Sequence, residues 1–248
     1  MTKKTPQQIS EYYKQKSVVT DYLDRRFKGI GGKYIHQVEV QSILNNLKII
    51  EFTKRPQLIK VLDIGAGSGR LSFFLKAKGY NTYCLDSSEA MIKILSRKIS
   101  KNHIFLQSIF DKMKTPIKFN VICSLRFFDH FNYEDQEKIL SNIKHNLASD
   151  GYIILTALNS KSLENLLSNF FPYGRYNFYY SDVDFKKLLT KLKLKIILRN
   201  GHFFIPRGVF IYSQKIPFIT YLLIFIDTLL SKILPSKTAY FTYLLQKE

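Results

Sequence analysis

Between Leu58 and Thr156 the chain alternates repeatedly between short apolar runs and helical stretches, and this alternation limits its fold more than any other feature. Leu58–Ile64 is a mostly apolar strand, interrupted by Lys60, that carries Asp63 just before a glycine turn; Leu71–Lys78 continues as helix. Thr82–Leu85, His103–Leu106, Phe119–Ser124 and Tyr152–Thr156 read as further strands. Ser87–Ile99 and Glu134–Leu147 read as helices, the first opened by Ser87 or Ser88 with Glu89 in its first turn. Short apolar strands separated by helices imply right-handed crossovers and a parallel sheet covered on both faces. The fold class is therefore α/β, a doubly wound, mostly parallel sheet whose ligands sit at the carboxyl ends of its strands.

The flanks differ from this core. Residues 6–53 read as helices: Pro6 can open one, and Tyr34 to Phe52 places apolar residues at helical spacing until Pro56 stops the pattern. Beyond the core, Ser181-Asp182-Val183-Asp184 starts a helix over Phe185–Leu192, and Leu194–Leu198 and Ala239–Leu245 are strands. Between those strands lies Ile216–Leu234, the most apolar stretch of the protein. With 248 residues the chain suits one domain, divided into a helical cap (1–55), a core (56–156) and a C-terminal region (157–248).

The turn Gly65-Ala66-Gly67-Ser68-Gly69 follows a strand and opens a helix, so its glycines can take φ > 0 and let a ligand approach the backbone. The dinucleotide fingerprint needs a third glycine one residue later, where this chain has Arg70. Asp63, just before the turn, would repel a pyrophosphate but suits a ligand with an ammonium or sulfonium. Asp86, at the end of the second strand, can accept both hydrogen bonds from the vicinal hydroxyls of a ribose, or else cap the following helix. Together the two acids describe an adenosyl ligand with a cationic, amino-acid-like end.

Val61–Arg70 resembles the first signature motif of class I S-adenosylmethionine-dependent methyltransferases, and Tyr83–Met91 the second. Phe119–Ser124 resembles the fourth, and Leu147–Thr156 the stretch around strand five. The nearest group is the small-molecule set that includes the ubiquinone and menaquinone biosynthesis enzymes. The resemblance implies a seven-stranded sheet, a helical cap, a helical insertion before the last strand, and S-adenosyl-L-methionine as cofactor. It assigns Asp63, Gly65 and Gly67 to the methionine end, Asp86 to the ribose, and Met91, or Ser87 beside it, to the flank of the adenine, with Ala66, Gly69 and Ser124 also in the cofactor site. Where such families often carry an acid against the adenine amino group, this chain has Ile109. Adenine recognition then falls to backbone groups of Ser108 and Ile109, or to Asp111.

Methyl transfer from a sulfonium is an in-line displacement that mainly requires alignment and exclusion of water. His130, just after strand four, is the candidate general base, with packing as its alternative role. The chain lacks the Pro-Pro-aromatic run of enzymes that methylate base amines, and Cys123 follows Ile122 rather than a proline, which disfavours nucleic-acid acceptors. A net charge of +19, from 38 Lys+Arg against 19 Asp+Glu, keeps RNA as an alternative acceptor. A non-catalytic subunit that retains the cofactor fold is another. The expected acceptor is a small, hydrophobic or lipid-like molecule. Nothing in the sequence sets the oligomeric state, and Cys84 and Cys123 lack the spacing of a metal site.

Between Asp184 and Asp227 there is no acid, but there are Lys186, Lys187, Lys191, Lys193, Lys195, Arg199, Arg207 and Lys215. The apolar stretch that follows is shorter than the about 20 residues that span a bilayer. On a helix, Thr220, Asp227 and Ser231 share one face against an arc of Phe218, Leu222, Phe225, Ile226, Leu229 and Leu230. Residues 216–234 are therefore a packed cap, a lid over a hydrophobic substrate, or a peripheral membrane contact. The N-terminus lacks a signal peptide's apolar core, so the expected location is cytoplasmic, with membrane association through 216–234. Tyr12, Tyr13, Tyr22 and Phe27 are expected to close over the cofactor from the other side.

Overall fold

Val61 and Leu62 are neighbours in sequence yet belong to different cores, because successive strand side chains point to opposite faces of a sheet. The same holds for Val121 and Ile122. Strands buried on both faces need apolar residues at consecutive positions, which is why these runs are continuous rather than alternating. The computed structural model describes residues 27–51, 54–167 and 178–248. The helix start at Pro6 and the aromatics Tyr12, Tyr13 and Tyr22 lie outside them.

Among the described residues the order is α1 (Gly29–Glu51), β1 (Lys60–Ile64), α2 (Arg70–Ala77), β2 (Asn81–Asp86), α3 (Glu89–Leu95), β3 (Ile104–Leu106), β4 (Phe119–Ser124), α4 (Tyr133–Asn146) and β5 (Leu147–Asn159). There follow α5 (Leu163–Leu166), β6 (Tyr179–Tyr180), α6 (Asp182–Lys191), β7 (Leu194–His202), α7 (Arg207–Ser213), α8 (Pro217–Ile233) and β8 (Tyr240–Lys247). The sheet runs β3-β2-β1-β4-β5-β8-β7, with the two-residue β6 beside β5. β3 to β5 are mutually parallel along this order, and β8 is antiparallel to both β5 and β7. The expected doubly wound sheet is present, as is the helical insertion between β7 and β8.

One face is covered by α1 and α2 through Val40, Ile43, Leu47, Leu71 and Leu75; the other by α4 and α6 through Ile139, Ile143, Phe185 and Leu188. Ser88, Asn132, Ser162 and Ser181 each cap a helix by accepting from a backbone N–H in its first turn. Each such cap stabilises by about 1 kcal/mol. β5 extends well past the expected Tyr152–Thr156, because β8 pairs with it from Tyr152 to Leu158 and β6 takes up Leu158 and Asn159. β1 starts two residues later than expected, since Pro56–Leu58 forms a 3-10 turn.

β1 has β2 on one side and β4 on the other, so the chain's direction of winding reverses there, at the kind of place where open α/β sheets take their ligands. The register carries the same rim across the sheet: Leu158 of β5 stands beside Tyr240, which stands beside His202 of β7. The whole excursion from Phe203 to Ala239, with α7 and α8, therefore leaves and rejoins the sheet at the rim that holds the glycine turn.

Candidate functional site

A peptide chain leaving a buried strand must satisfy its backbone groups before a helix can do so. Gly65 and Ala66 donate their N–H groups to Leu85 O, at 2.9 and 3.1 Å, and Gly69 N–H donates to Ala66 O. These bonds fold the turn over the end of β2. Gly65, Gly67 and Gly69 all have positive φ (65°, 54° and 84°), where an L side chain is strained.

Their surroundings differ. A Cβ on Gly65 would stand 2.2 Å from the Phe127 ring, and one on Gly69 2.7 Å from Phe73. At Gly67 the nearest atom is Gly65 O at 4.0 Å, so only this glycine of the turn presents open backbone. Gly67→Ala should cost about 1–2 kcal/mol of stability from left-handed strain alone. Gly65→Ala should add about 1–3 kcal/mol of overpacking to a similar strain. Urea midpoints of the two variants check this; equal midpoints would mean that Phe127 yields freely.

Gly67 N–H donates to Asp86 Oδ2 at 2.7 Å, and Ser88 N–H to Asp86 Oδ1 at 2.9 Å. The helix cap of α3 is Ser88 itself, whose Oγ accepts from Met91 N–H. Asp86 is therefore not spent on capping. A carboxylate offers about four acceptor positions, and backbone N–H groups of Ser88, Gly67 and Ser87 all bear on this one, each favouring its ionised form against burial. Asp63 is buried and accepts from Ser72 Oγ at 2.6 Å. Desolvation pushes its carboxyl up to about 7, against the downward pull of the Ser72 hydroxyl and of Arg70. Ser124 is buried at the end of β4, and its Oγ has no hydrogen-bond partner.

The other residues expected at the site are placed as follows. Ala66 and Met91 are buried, and Ser87 is exposed beside Asp86. Ile109 is buried and its carbonyl accepts from Asn142, while Ser108 O accepts from Asp111 N–H. Asp111 is exposed. His130 is partly exposed on the 3-10 turn Phe128–His130 that follows β4, its backbone N–H bonded to Phe127 O. Of the expected cap aromatics, Phe27 lies under the Arg70 guanidinium, 4.5 Å from its carbon.

Sequence reasoning missed a buried ionic network on the same rim. Glu39 of α1 pairs with Arg70 and approaches Arg126 (3.8 Å) and Arg207 (3.5 Å). Arg207 of α7 grips Glu164 of α5 with its Nε and its own backbone N–H, both at 2.9 Å, and with Nη2. Arg126 sits at φ 60° with its N–H on Thr156 Oγ1, and its guanidinium reaches Asp129 at 3.5 Å. Burial pushes the Asp129 carboxyl up to about 6, with Arg126 and Arg207 opposing. The readable signal was Glu39: it shares an i, i+4 stripe with buried Ile35 and Ile43, where a charge demands a partner.

A methyltransferase-domain profile matches residues 34–198. A ubiquinone biosynthesis O-methyltransferase of Rickettsia akari is 22% identical over 128 residues, 50% of this chain and 50% of the relative. A probable S-adenosyl-L-methionine-dependent methyltransferase of Haemophilus influenzae is 28% identical over 115 residues, 45% of this chain and 40% of the relative. The chain thus spans about half the length of the curated relatives it matches. In overall shape it resembles the magnesium protoporphyrin IX methyltransferase of Synechocystis with bound S-adenosylhomocysteine, at 18% identity and a TM-score of 0.64, over 97% of this chain and 98% of that one.

Proposed function

The chain belongs to the methyltransferase-domain family, and from that premise we propose that it transfers a methyl group from S-adenosylmethionine to a small, apolar or lipid-like acceptor. The observation that carries the reading is Asp86, which fixes the open backbone of Gly67 by one oxygen and, as a carboxylate closing β2, is suited to accept from ribose hydroxyls. The residues present fit this cofactor. Gly67 leaves room for close approach, the buried Ser124 Oγ lacks a partner, and Asp63 lies under the turn, where a nearby cationic end would favour its ionised form.

S-adenosylmethionine, when bound, supplies a methyl group on sulfonium sulfur that is already activated for in-line displacement. The chain's own task is to align and to dry the site. Gly65, Ala66, Gly67 and Gly69 shape the methionine side, and Ser87, Met91, Ser108 and Ile109 the adenine side. With the Ile109 carbonyl already accepting from Asn142, adenine recognition is left to the remaining backbone groups of that turn. An acceptor hydroxyl must lose its proton, and His130 is the side chain on this rim proposed to take it.

Two measurements test the reading. Transfer of labelled methyl to hydroxylated aromatics should grow in kcat/KM as their alkyl chains lengthen. His130→Gln should keep cofactor affinity and lower kcat by about 10²- to 10⁴-fold. Tight cofactor binding without transfer to any acceptor would instead identify a non-catalytic subunit. A His130→Gln variant with unchanged kcat would reduce that histidine to packing.

A further inference from the structure

A surface helix normally turns its polar residues to water and its apolar stripe to the core. α8 does the reverse. Its Thr220 and Asp227 are 0% and 1% exposed, whereas Phe218 is 77%, Phe225 68% and Ile233 61% exposed. Tyr221, Leu222 and Leu229 extend the outward patch.

Three sets of bonds hold this orientation. Asp227 accepts from the Tyr34 hydroxyl of α1 at 2.6 Å and from Ile205 N–H at 2.7 Å; Ser231 Oγ accepts from Phe204 N–H at 3.0 Å; Thr220 Oγ1 bonds Ser213 Oγ at 3.1 Å. Rotating the helix to hide its apolar face would leave these groups without partners, each a cost comparable to a lost hydrogen bond. A contiguous exposed apolar surface of this kind marks an interface.

Charge selects the partner. Lys215 flanks the start of α8 and Lys232 and Lys237 its end, all exposed. Between Asp184 and Glu248 the only acid is Asp227, which is buried. A second copy meeting this face about a two-fold axis would set lysine against lysine. An anionic surface with an apolar interior matches both features.

We propose that the outward face of α8, with its flanking lysines, docks into the headgroup layer of an anionic lipid bilayer. No helix among the described residues is long and apolar enough to cross a membrane. α8, roughly 25 Å long, would lie in the plane of the interface. Because the excursion that carries it springs from the same rim as Gly67 and Asp86, docking would bring that rim to the membrane, where a lipid-like acceptor resides. This last point rests on the proposed function; the docking itself does not.

The test is co-sedimentation of the full chain with vesicles of phosphatidylcholine alone or mixed with phosphatidylglycerol. Binding is expected only to the mixed vesicles, and should weaken with salt. Replacing Lys215, Lys232 and Lys237 by Gln should weaken it by about a hundredfold. Phe218→Asp with Phe225→Asp should weaken it by about tenfold or more. Both substituted residues are exposed, and unchanged S-adenosylhomocysteine binding by calorimetry confirms folding. Wild-type protein that stays in the supernatant at low salt overturns the proposal. So does a dimer, seen by light scattering, that the Phe variant converts to monomer without any vesicle binding. Vesicle binding without S-adenosylhomocysteine binding would sink the cofactor assignment and leave the docking surface standing.

Discussion

Asp86→Ala is expected to weaken S-adenosylmethionine binding by at least about a hundredfold, since two hydrogen bonds to a charged acceptor contribute roughly 1.5–3 kcal/mol each. Part of the loss is indirect. Gly67 N–H and Ser88 N–H lose their acceptor, so the open backbone of the turn is no longer held against β2. Asp86→Asn keeps one carbonyl oxygen and should fall between wild type and alanine. Isothermal titration with the cofactor and with S-adenosylhomocysteine decides it: an unchanged affinity in the alanine variant rules out the ribose role.

The largest effect on stability is expected at Arg207, whose side chain is fully buried between Glu164 and Glu39. Removing one partner of a buried ion pair typically costs 3–5 kcal/mol, because the remaining charge stays desolvated. Arg207→Ala should lower the urea midpoint accordingly. Burial pushes the Glu164 carboxyl up, but Arg207 more than offsets this and holds it below the usual range. A carboxyl with a depressed pKa stabilises the fold above its ordinary pKa and loses that contribution as pH falls. The deficit of Arg207→Ala should therefore be largest at neutral pH and shrink on acidification, where Glu164 protonates in both proteins. Pairing it with Glu164→Gln should recover part of the loss, and a strictly additive double variant would show that the two side chains do not act together.

The run from β1 through the glycine turn to the end of β2 was legible because it is local. Strand, glycine turn, helix and the acid closing the next strand lie close together in sequence, and each is dictated by backbone geometry. Helical periodicity likewise showed that Thr220, Asp227 and Ser231 share a face. It could not show which face turns inward, because that sign is set by Tyr34, far away in sequence, and by the Ile205 N–H. Glu39 alone signalled a buried partner; which partners it meets, Arg70, Arg126 and Arg207, was hidden because they come from separate elements that meet only in the fold. The length of β5 depended on partners supplied by β8.

The antiparallel return of β8 has a practical consequence. The strand begins at Tyr240, level with Leu158 and His202 on the rim where β5 and β7 end, and after eight residues delivers Glu248 to the back of the sheet, where its N–H bonds Lys193 O. That is a separation of roughly 25 Å along the strand. A dye, bead or sensor surface coupled at Glu248 would therefore hold the protein from the opposite edge of the sheet, leaving the rim that carries the glycine turn unobstructed.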